Sequence, residues 1–154
     1  MRTQAIRSRE NPNLELIAFH GHFATRHSHN SHCLDITRLK HEYSLAHDTA
    51  LALANHYIYE KSIDTIICMD GSEVIGAFLA RQLTQKILFS VNNNKSICVV
   101  TPEYDSNGQL LFRENLVSMI HGRNMLLLIS TVNSGKTARR ALDCCLLYTS
   151  DAAD

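Results

Sequence analysis

The chain has no surplus of either charge: Lys plus Arg and Asp plus Glu each number 15 in 154 residues. Without a net field it has no general attraction for nucleic acid or an acidic membrane, and neither is expected as a partner. It also lacks a long apolar run. The opening MRTQAIRSRENPN is charged, and nothing behind it is long enough for a signal peptide or a membrane span, so a cytoplasmic protein is expected. The five cysteines, Cys33, Cys68, Cys98, Cys144 and Cys145, have no C-x-x-C spacing and no paired framework. Reduced, buried thiols follow, with no argument for a catalytic one. Internal repeats and low-complexity stretches are absent as well. What is present is 45% hydrophobic residues, enough at this length for one core and a single domain.

The apolar positions are patterned. Ala46, Ala50, Leu53 and Tyr57 recur at helical spacing and predict an amphipathic helix over 44–59. DTIICM, Asp64 to Met69, predicts a short strand bounded by a DGS turn. Val74, Ile75, Phe78, Leu79 and Leu83 then form the stripe of a helix over 73–83. Strands are also expected over 96–101 (SICVVT) and 125–129. Their centres recur about every thirty residues, as in βαβ units, which implies an α/β fold with a largely parallel sheet. Between the last two strands, PEYDSNGQLLFREN carries Asn107-Gly108, a hairpin turn signal, and predicts a protruding hairpin. An excursion from the carboxyl end of a parallel strand lies over the ligand crevice of such sheets, so this one is expected to cover substrate unless it is decorative.

Two strand-to-helix turns carry the chemistry. LLLISTVNSGKT, residues 126–137, empties an apolar strand into small polar residues before a helix, a geometry that aims backbone N–H groups at an anion. A Walker loop needs Gly at position 130, where this chain has Ser130, and no acidic strand end offers itself for magnesium, so a nucleotide triphosphatase is the weaker reading. CMDGSEVIGAFLARQL, residues 68–83, is the second turn, with Gly71 free to take an unusual backbone and Ser72 able to cap the helix. Two such turns on one sheet suit two anionic groups of one ligand.

With GHFATRHSHNSHCLDITRL (21–39), MDGSEVIGA (69–77), the hairpin segment and STVNSGKT (130–137) in this order, the sequence resembles the phosphoribosyltransferase family, specifically orotate phosphoribosyltransferase-like proteins. The resemblance covers most of residues 1–144 and implies a Rossmann-like sheet of the phosphoribosyltransferase type, with 1–43 as a hood-like N-terminal segment. It implies transfer of a phosphoribosyl group from phosphoribosyl diphosphate to a nucleobase, orotate above all, with magnesium, in pyrimidine nucleotide synthesis. Thr131, Asn133, Ser134, Gly135, Lys136 and Thr137 would then hold the 5-phosphate, and Asp70, Gly71, Ser72 and Glu73 the pyrophosphate. Phe23 and Arg26 would meet the base. Arg113 and Arg123 would reach the leaving group when the hairpin closes. By analogy with family members a homodimer is expected.

Three features depart from the family pattern. Ile129 and Ser130 stand where the family has two adjacent acidic residues that hold the ribose hydroxyls. The hairpin has Arg113, His121 and Arg123 in place of paired lysines, and Asp70 and Glu73 would repel a pyrophosphate unless magnesium intervened. The alternative is therefore a non-catalytic regulator that binds phosphoribosyl diphosphate or a nucleotide.

Eight of the nine histidines precede residue 57, five of them in HGHFATRHSHNSH. They suit a zinc or nickel site, a part in the hood or a plain surface, and no metal ligand set is assigned. The ending CLLYTSDAAD, residues 145–154, breaks the composition and looks like a sequencing-library adapter read in frame. On that reading 145–154 is a non-native tail and the C-terminal part of the domain is missing. The chain is then expected to be marginally stable and inactive, with an open sheet edge.

Overall fold

The computed structural model describes residues 2–24, 28–59, 62–85 and 91–149. At its centre β4 (Thr65–Cys68) runs parallel to β5 (Cys98–Val100) on one side and β8 (Met125–Leu128) on the other, with Ile66 opposite Val99 and Leu126. All four β4 residues are buried. Side chains alternate along a strand, so Ile66 and Cys68 enter one core while Ile67 and Met69 enter another on the opposite face. Burial on both faces is why this strand reads as an unbroken apolar run.

The first core lies under α2 (Tyr43–Ala54) and α3 (Glu73–Thr84). Ala46, Ala50 and Ala54 form a buried stripe of methyl groups, and Ile75, Leu79 and Leu83 an apolar one. The expected stripe of α3 is corrected at Val74, which is 39% exposed. It sits one residue, about 100° of helix, away from Ile75. The helix expected to reach residue 59 stops at Ala54, and a turn follows in which Ile58 N donates to Ala54 O at 3.0 Å. That turn buries Ile58 beside α3's core residues.

The second core is closed by the hairpin and by α4 (Lys136–Thr149). The hairpin pairs β6 (Glu103–Tyr104) with β7 (Leu110–Leu111), and the Asp105 carboxylate accepts the N–H groups of Asn107 and Gln109 at 2.8 Å. Gly108 takes φ +75°, the left-handed position such loops require. The hairpin protrudes less than expected, because Leu110 and Phe112 are buried. The composition break at Cys145 is no helix boundary: α4 runs through it, Cys145 is buried, and the Tyr148 ring meets Phe112 edge-on at 5.4 Å. The rest of the tail, 150–154, lies outside the described residues.

Residues 2–35 form a separate antiparallel sheet, β1 (Arg2–Arg7), β2 (Glu15–Ala24) and β3 (His29–Asp35), with β2 in the middle and a register shift between His20 and Phe23. α1 (Thr37–His41) leads from it to the body. The fold is therefore mixed α/β. The three strands expected after the N-terminal segment form the parallel sheet, and among the described residues the other five strands lie in two separate antiparallel sheets. No helix among the described residues is long and apolar enough to cross a membrane.

Candidate functional site

The strand order β5-β4-β8 reverses direction at β4, since the chain leaves β4 for one neighbour and later returns to the other side. Open α/β sheets bind ligands outside the carboxyl ends of the strands at such a reversal. Both turns singled out from the sequence lie there. The turn after β4 is tied to the end of β8 by Met69 N, which donates to Leu128 O at 2.9 Å, and by the Ser72 hydroxyl, which donates to the same oxygen at 3.2 Å. Ser72 thus precedes α3 as expected, but its side chain makes no cap hydrogen bond.

A cavity of about 440 Å³ lies at the second turn, lined by residues 129–138, Arg140 and Ser28 with Asp70 from the first turn; Gly71, Ser72 and Glu73 are not among its lining residues. Gly135 takes φ +76° and ends the loop, and Arg139 N donates back to Gly135 O at 2.9 Å as α4 begins. The N–H groups of a helix's first turn have no carbonyl inside the helix to meet, so α4 presents Lys136, Thr137 and Ala138 to the cavity at its positive end. Two basic side chains, Lys136 and Arg140, face one acidic one, Asp70. Arg140 stands one turn beyond Lys136, and that i, i+4 spacing is the signal by which the sequence could have revealed it.

No protein-family model matches the chain, and no curated protein matches it.

The structure brings Thr131, Asn133, Ser134, Gly135, Lys136 and Thr137 together with Asp70 around one cavity. Asn133 is already engaged: its amide nitrogen donates to Ser28 Oγ and Asn30 Oδ1, both at 3.0 Å, and so joins the loop to the N-terminal sheet. Phe23, half-buried, pairs with that same Asn30 across β2 and β3. Arg26 lies outside the described residues.

At the first turn, Asp70 and Gly71 take φ +55° and +75°, two successive left-handed residues of which only one is glycine. Lys40 Nζ donates to Asp70 O at 2.7 Å from α1, a partner thirty residues away that no local pattern announces. Glu73 accepts from the Thr101 hydroxyl at 3.3 Å. Tyr104 on the hairpin is pushed above the usual phenol range by partial burial first and by the Asp70 carboxylate second.

The two arginines are elsewhere. Arg113 Nη2 pairs with Glu103 Oε1 at 2.5 Å across the hairpin, which raises the guanidinium further. Arg123 precedes β8 at the amino end of the parallel sheet, where its charge helps to lower the Asp64 carboxyl. That end is opposite the two turns, so Arg123 is not part of the cavity. In the N-terminal sheet, His22 Nε2 and His29 Nδ1 share a hydrogen bond of 3.0 Å, and the His20 and His32 rings meet at 4.5 Å. Among the described residues, no three His, Cys, Asp or Glu side chains converge to hold a metal.

Proposed function

We propose that the chain is an orotate phosphoribosyltransferase-like protein whose cavity takes phosphoribosyl diphosphate. The observation that carries this reading is that Asp70, from the turn after β4, and Ser134–Thr137, from the turn after β8, line one cavity at the strand-order reversal. A ligand with a phosphate at one end and a diphosphate at the other spans two such turns. The helix N-terminus of α4, with Lys136 and Arg140, neutralises the 5-phosphate. The reaction is displacement of pyrophosphate from C1 of the ribose by a ring nitrogen of the base. The chain's part in it is to hold both ends of the ligand and neutralise charge on the leaving group, which makes catalysis positional and electrostatic. The N-terminal sheet is tied to the loop through Asn133, which bonds Asn30 opposite Phe23, and on this reading Phe23 meets the base.

Magnesium is part of this reading. Asp70 supplies one carboxylate on the cavity wall, whereas Glu73, three residues on, is not among the lining residues and accepts from the Thr101 hydroxyl. Magnesium is commonly bound by one or two carboxylates plus substrate phosphates. When bound it supplies positive charge against the diphosphate. The base, cytoplasmic location and homodimer remain part of the proposal.

Ile129 and Ser130 favour a second reading. Without two carboxylates the ribose hydroxyls meet only neutral acceptors, and each charged hydrogen bond lost is worth roughly 1.5–3 kcal/mol. A binding protein that senses phosphoribosyl diphosphate tolerates that loss better than an enzyme does.

Calorimetric titration with phosphoribosyl diphosphate and with ATP, each with magnesium, tests the proposal. The former is expected to bind and the latter hardly at all, and Lys136→Ala is expected to weaken binding by about 10- to 100-fold. Equal binding of both, or of neither, would overturn it. Release of pyrophosphate on adding orotate separates the enzyme from the sensor.

A further inference from the structure

The turn assigned to the diphosphate carries two carboxylates, and the hairpin residue expected to offset them, Arg113, is spent on Glu103. Positive charge reaches the turn from a different element. α1 ends in Lys40 and His41, and both side chains lie against Gly71. Glycine at φ +75° leaves empty the space that a Cβ would take, and the nearest atoms to that point are His41 Cε1 at 3.7 Å, Lys40 Nζ at 3.8 Å and His41 Nε2 at 3.9 Å. The ammonium and the imidazole therefore flank the Cβ-less face of the turn at ordinary contact distance.

We propose that Lys40 is the cation that receives the diphosphate end of the ligand over Gly71, with His41 beside it. This rests on the reading of the cavity as a phosphoribosyl diphosphate site. An ammonium has three N–H donors, and the bond to Asp70 O uses one of them. That bond aims the nitrogen at the turn and leaves two donors for an anionic oxygen seated above Gly71. The same contact holds Asp70 in its left-handed conformation, so Lys40 shapes the turn and supplies its charge together. The arrangement answers the repulsion that Asp70 and Glu73 would otherwise exert on a diphosphate. It also explains how a chain without the family's paired hairpin lysines can bind the leaving group.

The test uses inorganic pyrophosphate and inorganic phosphate as probes, titrated with magnesium into the wild-type chain and into Lys40→Arg, Lys40→Gln, Lys40→Met and Lys136→Ala. Gln keeps a donor for the Asp70 carbonyl but no charge, so it separates shaping from binding. Lys40→Gln and Lys40→Met are expected to lose about tenfold or more in pyrophosphate affinity while phosphate binding is unchanged, and Lys40→Arg to restore most of it. Lys136→Ala should do the reverse and lose phosphate. Wild-type pyrophosphate affinity in Lys40→Gln would overturn the proposal and spare the site, because Lys40 would then only pin the turn. Failure of the wild-type chain to bind either probe would overturn the site itself, and the proposal with it. Melting temperatures identify any variant that has lost its fold, in which case Lys40→Gln against Lys40→Arg decides.

Discussion

Asn133, on the loop after β8, donates its side-chain amide to Asn30 Oδ1 in the N-terminal sheet at 3.0 Å, across 103 residues of sequence. The second amide hydrogen goes to Ser28 Oγ at the same distance. One side chain therefore ties the loop after β8 to the sheet that carries Phe23, and on the proposed function a ligand that orders the loop is expected to order that sheet as well.

Asn133→Ala should uncouple them. Two exposed hydrogen bonds contribute about 1 kcal/mol between them, so the melting temperature will shift by only a few degrees. Amide hydrogen exchange in residues 28–35 should rise by much more than elsewhere. Exchange confined to its wild-type rate would mean that other contacts hold the N-terminal sheet.

Asp64 anchors the opposite end of the sheet. Its Oδ1 lies 2.6 Å from Lys95 Nζ, its Oδ2 accepts Asn124 N at 2.8 Å, and its side chain is 15% exposed. The Lys95 bond first, then the Asn124 N–H, hold its carboxyl below the usual carboxylate range. A carboxylate with a depressed folded-state pKa contributes stability that is fully present above its unfolded value, about 3.9, and is lost as pH falls through the folded value. Asp64→Asn should cost roughly 1–3 kcal/mol at neutral pH and flatten the loss of stability below about pH 4. Urea midpoints measured across that range check the prediction, which fails if the wild-type and variant curves run parallel.

Gly76 lies inside α3, where alanine is normally the better helix former by about 1 kcal/mol. Here a Cβ would collide with Cys68 Sγ on β4. Gly76→Ala should therefore destabilise, since overpacking costs about 1–3 kcal/mol, and Cys68→Ala in the same chain should recover part of the loss. Denaturant midpoints of the two single variants and the double variant measure the coupling. A stabilised Gly76→Ala would show that the helix can move off the sheet. The Cys68 thiol, pushed up to about 11 mainly by burial, should resist alkylation in the native protein.

Much of the body was legible because its signals are local. β4, α3, the Asn107-Gly108 hairpin and the two turns follow from periodicity and from residue types that suit particular backbone angles, and those act over a few neighbouring residues. The N-terminal sheet was less so. Its strands alternate weakly, β1 is exposed along its whole length, and only the pairing with β2 gives it a place.

The site divides along the same line. The sequence by itself determined two small-residue turns after parallel strands, with Lys136 at the mouth of a helix, because a strand, a polar turn and a helix start are short-range events. Only the tertiary structure decided which charges meet there. It turned Arg123 to the far end of the sheet, engaged Arg113 with Glu103, and carried Lys40 from α1 to the Asp70 carbonyl. Such partners are chosen by how layers pack across a core, and contacts separated by thirty or a hundred residues leave no periodic trace in the chain.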